Sequence, residues 1–256
     1  MMDAYTHLDM SASDPIADFQ SRMASAGIDR ALAVETWSGD NLTCLERLLD
    51  SSASQFRVAL CFRPEKHLPS QRLLDHHAVI GLRVKTADLR HLGDTATLFE
   101  SSDKWLVSHA ENGIGPLTKA LVGLAADHPR LRIYVPHLAW PRRDAVNDQD
   151  WQPAIAELSR VPGLVIGVSA IAHFSVQPYP HADVGLFASK VTAVFSADSI
   201  VAGSDYPLFE KDLYALYMAL ARDWIGERPA ARPSKLEAAC FSDSIRRKSL
   251  SEQYWG

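Results

Sequence analysis

The sequence predicts an α/β protein built as a single (β/α)8 TIM barrel, and three observations carry that reading. Eight apolar runs of strand length alternate with segments whose apolar residues recur at helical spacing, the pattern of parallel strands joined by crossover helices. Each run ends in or runs up to a polar or titratable residue, and the C-terminal rim of a barrel is where such groups collect. No Gly-x-Gly-x-x-Gly follows the first run and no phosphate loop with Gly-Lys-Ser/Thr occurs, so the usual support for an open nucleotide-binding sheet is missing.

Residues 2–10 are the first candidate strand, and alternation puts Asp3, Tyr5, His7 and Asp9 on one face. So polar a face suits the lining of a site. Asp14 and Pro15 start a helix as N-cap and N1, Ile16, Phe19 and Met23 follow at helical spacing, and Gly27 ends it. The second strand, 31–34, finishes in Glu35 and Trp37, and 41–49 reads as helix with Leu42, Leu45, Leu48 and Leu49 on one stripe. Strand three, 56–62, runs into Arg63, and a short helix covers about 70–77. Strand four, 79–85, places Arg83 and Lys85 on the same side, whereas 89–99 carries no decisive pattern. Strand five, 105–109, ends in His109, and the helix over 116–127 stops near Pro129. Strand six, 131–135, leads to Pro136 and His137; a helix over 151–160 precedes strand seven, 164–168, which ends at Ser169. After a helix over 183–195, Ile200-Val-Ala-Gly-Ser-Asp205 is strand eight, and Pro207 bars both a central strand and immediate entry into a helix. The tail from residue 214 reads as largely helical. No linker, repeat or low-complexity segment interrupts the chain, which predicts one domain over 1–256.

The bulk numbers narrow the partners. A formal net charge of −5 argues against nucleic acid or an anionic membrane as principal partner. Cys44, Cys61 and Cys240 share no metal or redox spacing and read as reduced core thiols of a cytoplasmic protein. The first residues lack the basic and apolar regions of a signal peptide, and no apolar run reaches membrane-spanning length. The expected partner is a small-molecule substrate; association into a homo-oligomer is compatible with the sequence and not specified by it.

The strand ends gather Tyr5, His7, Glu35, Trp37, Arg63, Arg83, Lys85, His109, His137, Ser169 and Asp205. A single strand-end histidine is structural more often than not. Three histidines and an aspartate on one rim point to a site, because buried polar groups are costly unless paired or used. Arg83 and Lys85, with Arg63, Arg142 and Arg143 as a wider cationic rim, tilt the expected substrate toward an anion.

Several motifs resemble one family. Asp3-Ala-Tyr-Thr-His7 resembles the Asp-x-His-x-His opening of the amidohydrolase superfamily, in its amidohydrolase-2 branch. Gly81-Leu-Arg83 is similar to that branch's fourth-strand Gly-Val-Arg, Ser108-His109 to its strand-five histidine, Pro136-His-Leu-Ala-Trp-Pro141 to its His-Leu-Gly-x-Pro, and Gly203-Ser-Asp-Tyr-Pro207 to its Gly-Ser-Asp-x-Pro. Two departures stand out. Tyr5 occupies the place of the first histidine, and Cys240-Phe-Ser-Asp-Ser-Ile-Arg246 that of a Gly-Asn-Ala-x-Arg segment.

The resemblance implies His7, His109 and Asp205 as ligands of one divalent metal, zinc for preference, with a metal-free site as the alternative. It makes Asp205 the group that takes a proton from water, and His137 a ligand or general acid/base. A phenol is a poor ligand beside imidazole, so Tyr5 reads as a catalytic hydrogen-bond donor, while Arg83, Lys85, Glu35 and Trp37 face the substrate. The implied activity is hydrolysis of a lactone, ester or amide by activated water. Two alternatives stay open: non-oxidative decarboxylation on the same scaffold, and a barrel that has lost its chemistry and only binds.

Overall fold

Eight parallel strands lie side by side in chain order and form the inner wall of a nearly closed barrel. This computed structural model describes residues 1–51, 54–64, 69–111, 113–142, 150–208, 211–226 and 233–241. Arg143 and the segment 242–246, both weighed in the sequence, lie outside them.

The elements run β1 (Met2–Thr6), α1 (Pro15–Ser25), β2 (Arg30–Val34), α2 (Leu42–Asp50), β3 (Phe56–Cys61), α3 (Gln71–Asp75), β4 (Val79–Lys85), α4 (Asp94–Ser101) and β5 (Trp105–His109). They continue with α5 (Ile114–Asp127), β6 (Arg132–Val135), α6 (Trp151–Leu158), β7 (Leu164–Val168), α7 (Ile171–Phe174), α8 (Ala182–Val194), β8 (Ile200–Ala202), α9 (Tyr214–Trp224) and α10 (Lys235–Phe241). The Asp14 side chain caps α1 by accepting from the backbone N–H of Ile16 and Ala17, as its spacing to Pro15 predicts. Residues 89–99, undecided in sequence, divide between a 3-10 turn at Thr86–His91 and α4. The short helix α7 was not anticipated; it follows Ala170, whose backbone is left-handed (φ 56°).

Alternation along the strands separates two cores. Ala4, Leu32, Ile80, Val107, Val165 and Val201 pack inside the wall with Trp105 and Tyr134, and Leu236 and Cys240 of α10 pack against that cluster. The opposite faces join the helices in a larger cluster built on Phe19, Leu45, Leu82, Leu121 and Trp151. Two glycines allow close approach inside the wall, Gly81 to the backbone of the next strand and Gly167 to the Tyr134 ring. A Cβ on Gly81 would lie 1.8 Å from the Trp105 carbonyl oxygen, and one on Gly167 2.5 Å from the Tyr134 hydroxyl. All three cysteines are buried and none is in a disulfide. Among the described residues no helix is long and apolar enough to cross a membrane.

The first strand is shorter than alternation suggests, and the reason matters for the site. Pairing of β1 with β2 shifts register between Asp3 and Thr6, and the strand ends at Thr6. Beyond that point the chain meets the loop after β8: Asp205 N–H donates to the Tyr5 carbonyl at 2.9 Å and His7 N–H to the Tyr206 carbonyl at 2.6 Å. Those two bonds close the seam between first and last strand. Asp9 lies beyond the strand and ion-pairs with Lys211.

Candidate active site

The seam places two carboxylates. Asp3, inside β1, accepts from Ser204 N–H (2.9 Å), Ser204 Oγ (2.6 Å), Tyr214 OH (3.1 Å) and Tyr5 N–H (3.2 Å). Those bonds hold the turn that carries Asp205, a buried residue with left-handed backbone (φ 61°). Asp205 Oδ1 has no hydrogen-bond partner among the described residues. Burial pushes its pKa up to about 8, Arg83 opposing and Asp3 adding to the rise.

Two imidazoles face that oxygen. His7 Nδ1 lies 2.7 Å from the Val34 carbonyl, which can only accept, so the ring proton sits on Nδ1 and Nε2 is a bare acceptor. His137 Nδ1 lies 2.9 Å from Ser169 Oγ, which also accepts from the His137 backbone N–H at 3.1 Å. We assign the serine hydrogen to Nδ1, which leaves the His137 proton on Nε2. Both Nε2 atoms stand 3.8 Å from Asp205 Oδ1. That gap is too long for a hydrogen bond and leaves room for a shared oxygen atom. Burial, reinforced by Arg83, lowers the pKa of His7 to about 3. His137 and His109 are likewise held well below the usual value, burial being the largest cause of each. The three rings are therefore neutral.

His109 does not join Asp205. Its ring lies 5.3 Å from that of His137 and 4.6 Å from that of Trp140, and its Nδ1 is 3.9 Å from Glu111 Oε2. Among the described residues no group of three His, Cys, Asp or Glu side chains is arranged to hold a metal ion. The donors implied by the resemblance, His7, His109 and Asp205, thus do not fit a three-ligand cation as they stand. Tyr5 packs its ring between His7 (5.3 Å) and His137 (4.4 Å), and its buried hydroxyl has no hydrogen-bond partner among the described residues.

Opposite stands the cationic wall. Arg83 lies 4.0 Å above the Trp37 ring, donates to the Glu35 carbonyl at 2.9 Å, and keeps a buried Nε without a hydrogen-bond partner among the described residues. Lys85 Nζ is 5.1 Å from the same indole. The Glu35 carboxylate is already engaged, by Arg63 at 2.7 Å and by Cys61 N–H at 2.6 Å, so what it offers the site is its backbone carbonyl on Arg83. A cleft of about 370 Å³ opens here, lined by His7, Trp37, Arg83, Leu8 and Pro207 among others. A larger hollow of about 620 Å³ lies outside the barrel between α5 and α6. Only Trp140 links it to the histidines, so size alone does not mark the reactive centre.

Sequence reading missed three participants. Ser169 was noted as a strand end, and its hold on His137 was not. Ser204 was read as part of the end of strand eight rather than as the donor to Asp3. His173, on the unanticipated α7, packs its ring in a tilted contact 5.1 Å from that of Trp140 at the same rim; nothing in its spacing signals this.

A family model described as amidohydrolase matches residues 75–248. No curated protein matches the sequence. Among solved structures, an amidohydrolase from Burkholderia multivorans with bound zinc is similar at TM-score 0.67 and 14% identity, covering 93% of this chain and 94% of that one. A probable 2-pyrone-4,6-dicarboxylic acid hydrolase from Acinetobacter baumannii with bound citric acid gives 0.67 and 14%, over 88% and 92%. A 5-carboxyvanillate decarboxylase from Sphingomonas paucimobilis gives 0.60 and 13%, over 94% and 98%. Identities so low speak for a shared fold.

Proposed function

Because this chain belongs to the amidohydrolase family, we propose that its seam site hydrolyses a lactone, ester or amide bond in a small anionic molecule. One observation carries the reading: the unpartnered Oδ1 of Asp205, buried and faced by two neutral imidazole Nε2 atoms at 3.8 Å. A water seated there donates one hydrogen to the Asp205 carboxylate and the other to His7 Nε2. Asp205 takes the first proton as the water oxygen bonds to the carbonyl carbon, and the carbonyl π pair moves onto its oxygen. The His137 Nε2–H and the Tyr5 hydroxyl are the neutral donors available to that oxyanion, in a site too dry to screen them. The tetrahedral adduct then collapses, the carbon–oxygen or carbon–nitrogen bond breaks, and protonated Asp205 returns its proton to the leaving group. Arg83, backed by Lys85 across Trp37, binds the substrate's anionic group.

None of these steps uses a metal. Turnover before and after exhaustive chelation tests that: activity lost and then restored by zinc would transfer the chemistry to a bound cation. The function itself is tested on a panel of small lactones, esters and amides followed by acid release. Turnover that Asp205→Asn abolishes supports the reading, and a fully active Asp205→Asn protein removes it.

The raised pKa of Asp205 also suits decarboxylation. There the carbon–carbon bond to the carboxylate breaks, its electron pair stays on carbon, and protonated Asp205 supplies the proton. Carbon dioxide release without consumption of water separates this reading from the first.

A further inference from the structure

We infer that the ligand of this site is amphipathic, with an anionic head at Arg83 and an aliphatic arm along Met10 and Leu208 at the mouth of the same cleft. The inference deepens the proposed function and rests on it only for the fate of the head.

Seven large hydrophobic side chains are exposed among the described residues, and two of them, Met10 at 40% and Leu208 at 65%, line this one cleft. Scattered exposed apolar residues are ordinary; two at the entrance to a reactive centre mark a surface that a ligand covers. They come from separate parts of the chain, Met10 from the loop after β1 and Leu208 from the loop after β8, which meet at the seam. Leu8 and Pro207 continue the apolar lining inward toward Trp37. The acidic residues at the same mouth are already occupied. Asp9 pairs with Lys211 and accepts from Ser11, and Asp40 accepts from Thr36. The uncommitted lip is therefore apolar. At the inner end the uncommitted group is cationic, since Arg83 Nε is buried and unpartnered. A charge at depth and hydrocarbon at the rim select a molecule with that same order of groups.

The test is calorimetric titration of the whole protein with straight-chain carboxylates from butanoate to decanoate. Kd is expected to fall about 2-fold per added methylene, half the free energy of full burial because the lip stays partly open to water. In a Met10→Ser, Leu208→Ser double variant that slope flattens, whereas Arg83→Met weakens every member of the series by a similar factor. A Kd independent of chain length, a slope unchanged in the double variant, or no binding of any member overturns the inference. Binding needs no turnover, so length-dependent binding without hydrolysis sinks the hydrolytic reading alone. Hydrolysis of unsubstituted lactones with length-independent binding sinks this one alone.

Discussion

Asp3 and Asp205 are both buried carboxylates on the seam of the barrel, and their surroundings differ in one respect. Asp3 accepts four hydrogen bonds; Asp205 Oδ1 accepts none. Burial raises both, yet Asp3 stops at about 6, where the Ser204 and Tyr214 donors pull it back, and Asp205 reaches about 8. A carboxylate surrounded by donors fixes the backbone around it. One kept without them binds its proton more tightly, with an affinity that lets it take up and give back a proton near neutral pH, at a cost in stability. The same residue type thus serves architecture beside the position proposed for chemistry, and the hydrogen-bond count tells the two apart.

The sharpest way to break this comparison is to neutralise each carboxylate. Asp205→Asn should lower kcat about 10³-fold while leaving the fold intact. It should also stabilise the protein, in a defined window. The folded chain keeps a proton on Asp205 up to about pH 8, whereas the unfolded chain releases it near the ordinary 3.8. Wild-type stability is therefore lost progressively as pH rises from about 4 to 8, and the Tm advantage of the variant should widen across that range. An advantage that shrinks with rising pH would show that the carboxylate is better satisfied than its geometry indicates.

The pH–rate profile comes next. A base that must be ionised predicts that kcat/KM rises about tenfold per unit below pH 8 and levels above it. A profile falling through the same range favours the protonated form, and with it decarboxylation. Asp3→Ala should reverse the balance seen at Asp205, costing about 1–3 kcal/mol for each buried donor left unpaired, read by denaturant unfolding. The smallest effect is expected at Ser169, a positioning residue. Ser169→Ala frees the His137 ring and should lower kcat about 10-fold with KM little changed.

Much of the wall was legible because strand length and strand-end chemistry are local properties. Val79–Lys85, Trp105–His109 and Leu164–Val168 have the bounds that their apolar runs suggest. Asp205 stood out because a glycine, a serine and a proline around one acid after an apolar run leave few structural alternatives. Which imidazoles would face it was not legible. That depends on backbone bonds between residues near 5 and near 205, and on Ser169 meeting His137 across 32 positions. His109 has the same strand-end signature as His137, yet packs edge-on against Trp37 and tilted against Trp140, which reach it across the rim. Alternation also said nothing of the partner of Asp9, since β1 ends at Thr6 and Asp9 pairs with Lys211 from beyond it.

The join between the terminal strands has a consequence of its own. β1 and β8 share no ladder among the described residues, and the two main-chain bonds between the loops after them flank the proposed reactive groups. Heat or denaturant that parts the two ends of the wall would pull Asp205 from His7 while the other seven strand pairings still hold. Loss of turnover should then run ahead of the loss of helical circular dichroism, so that the enzyme is silenced at its weakest stitch well before it melts.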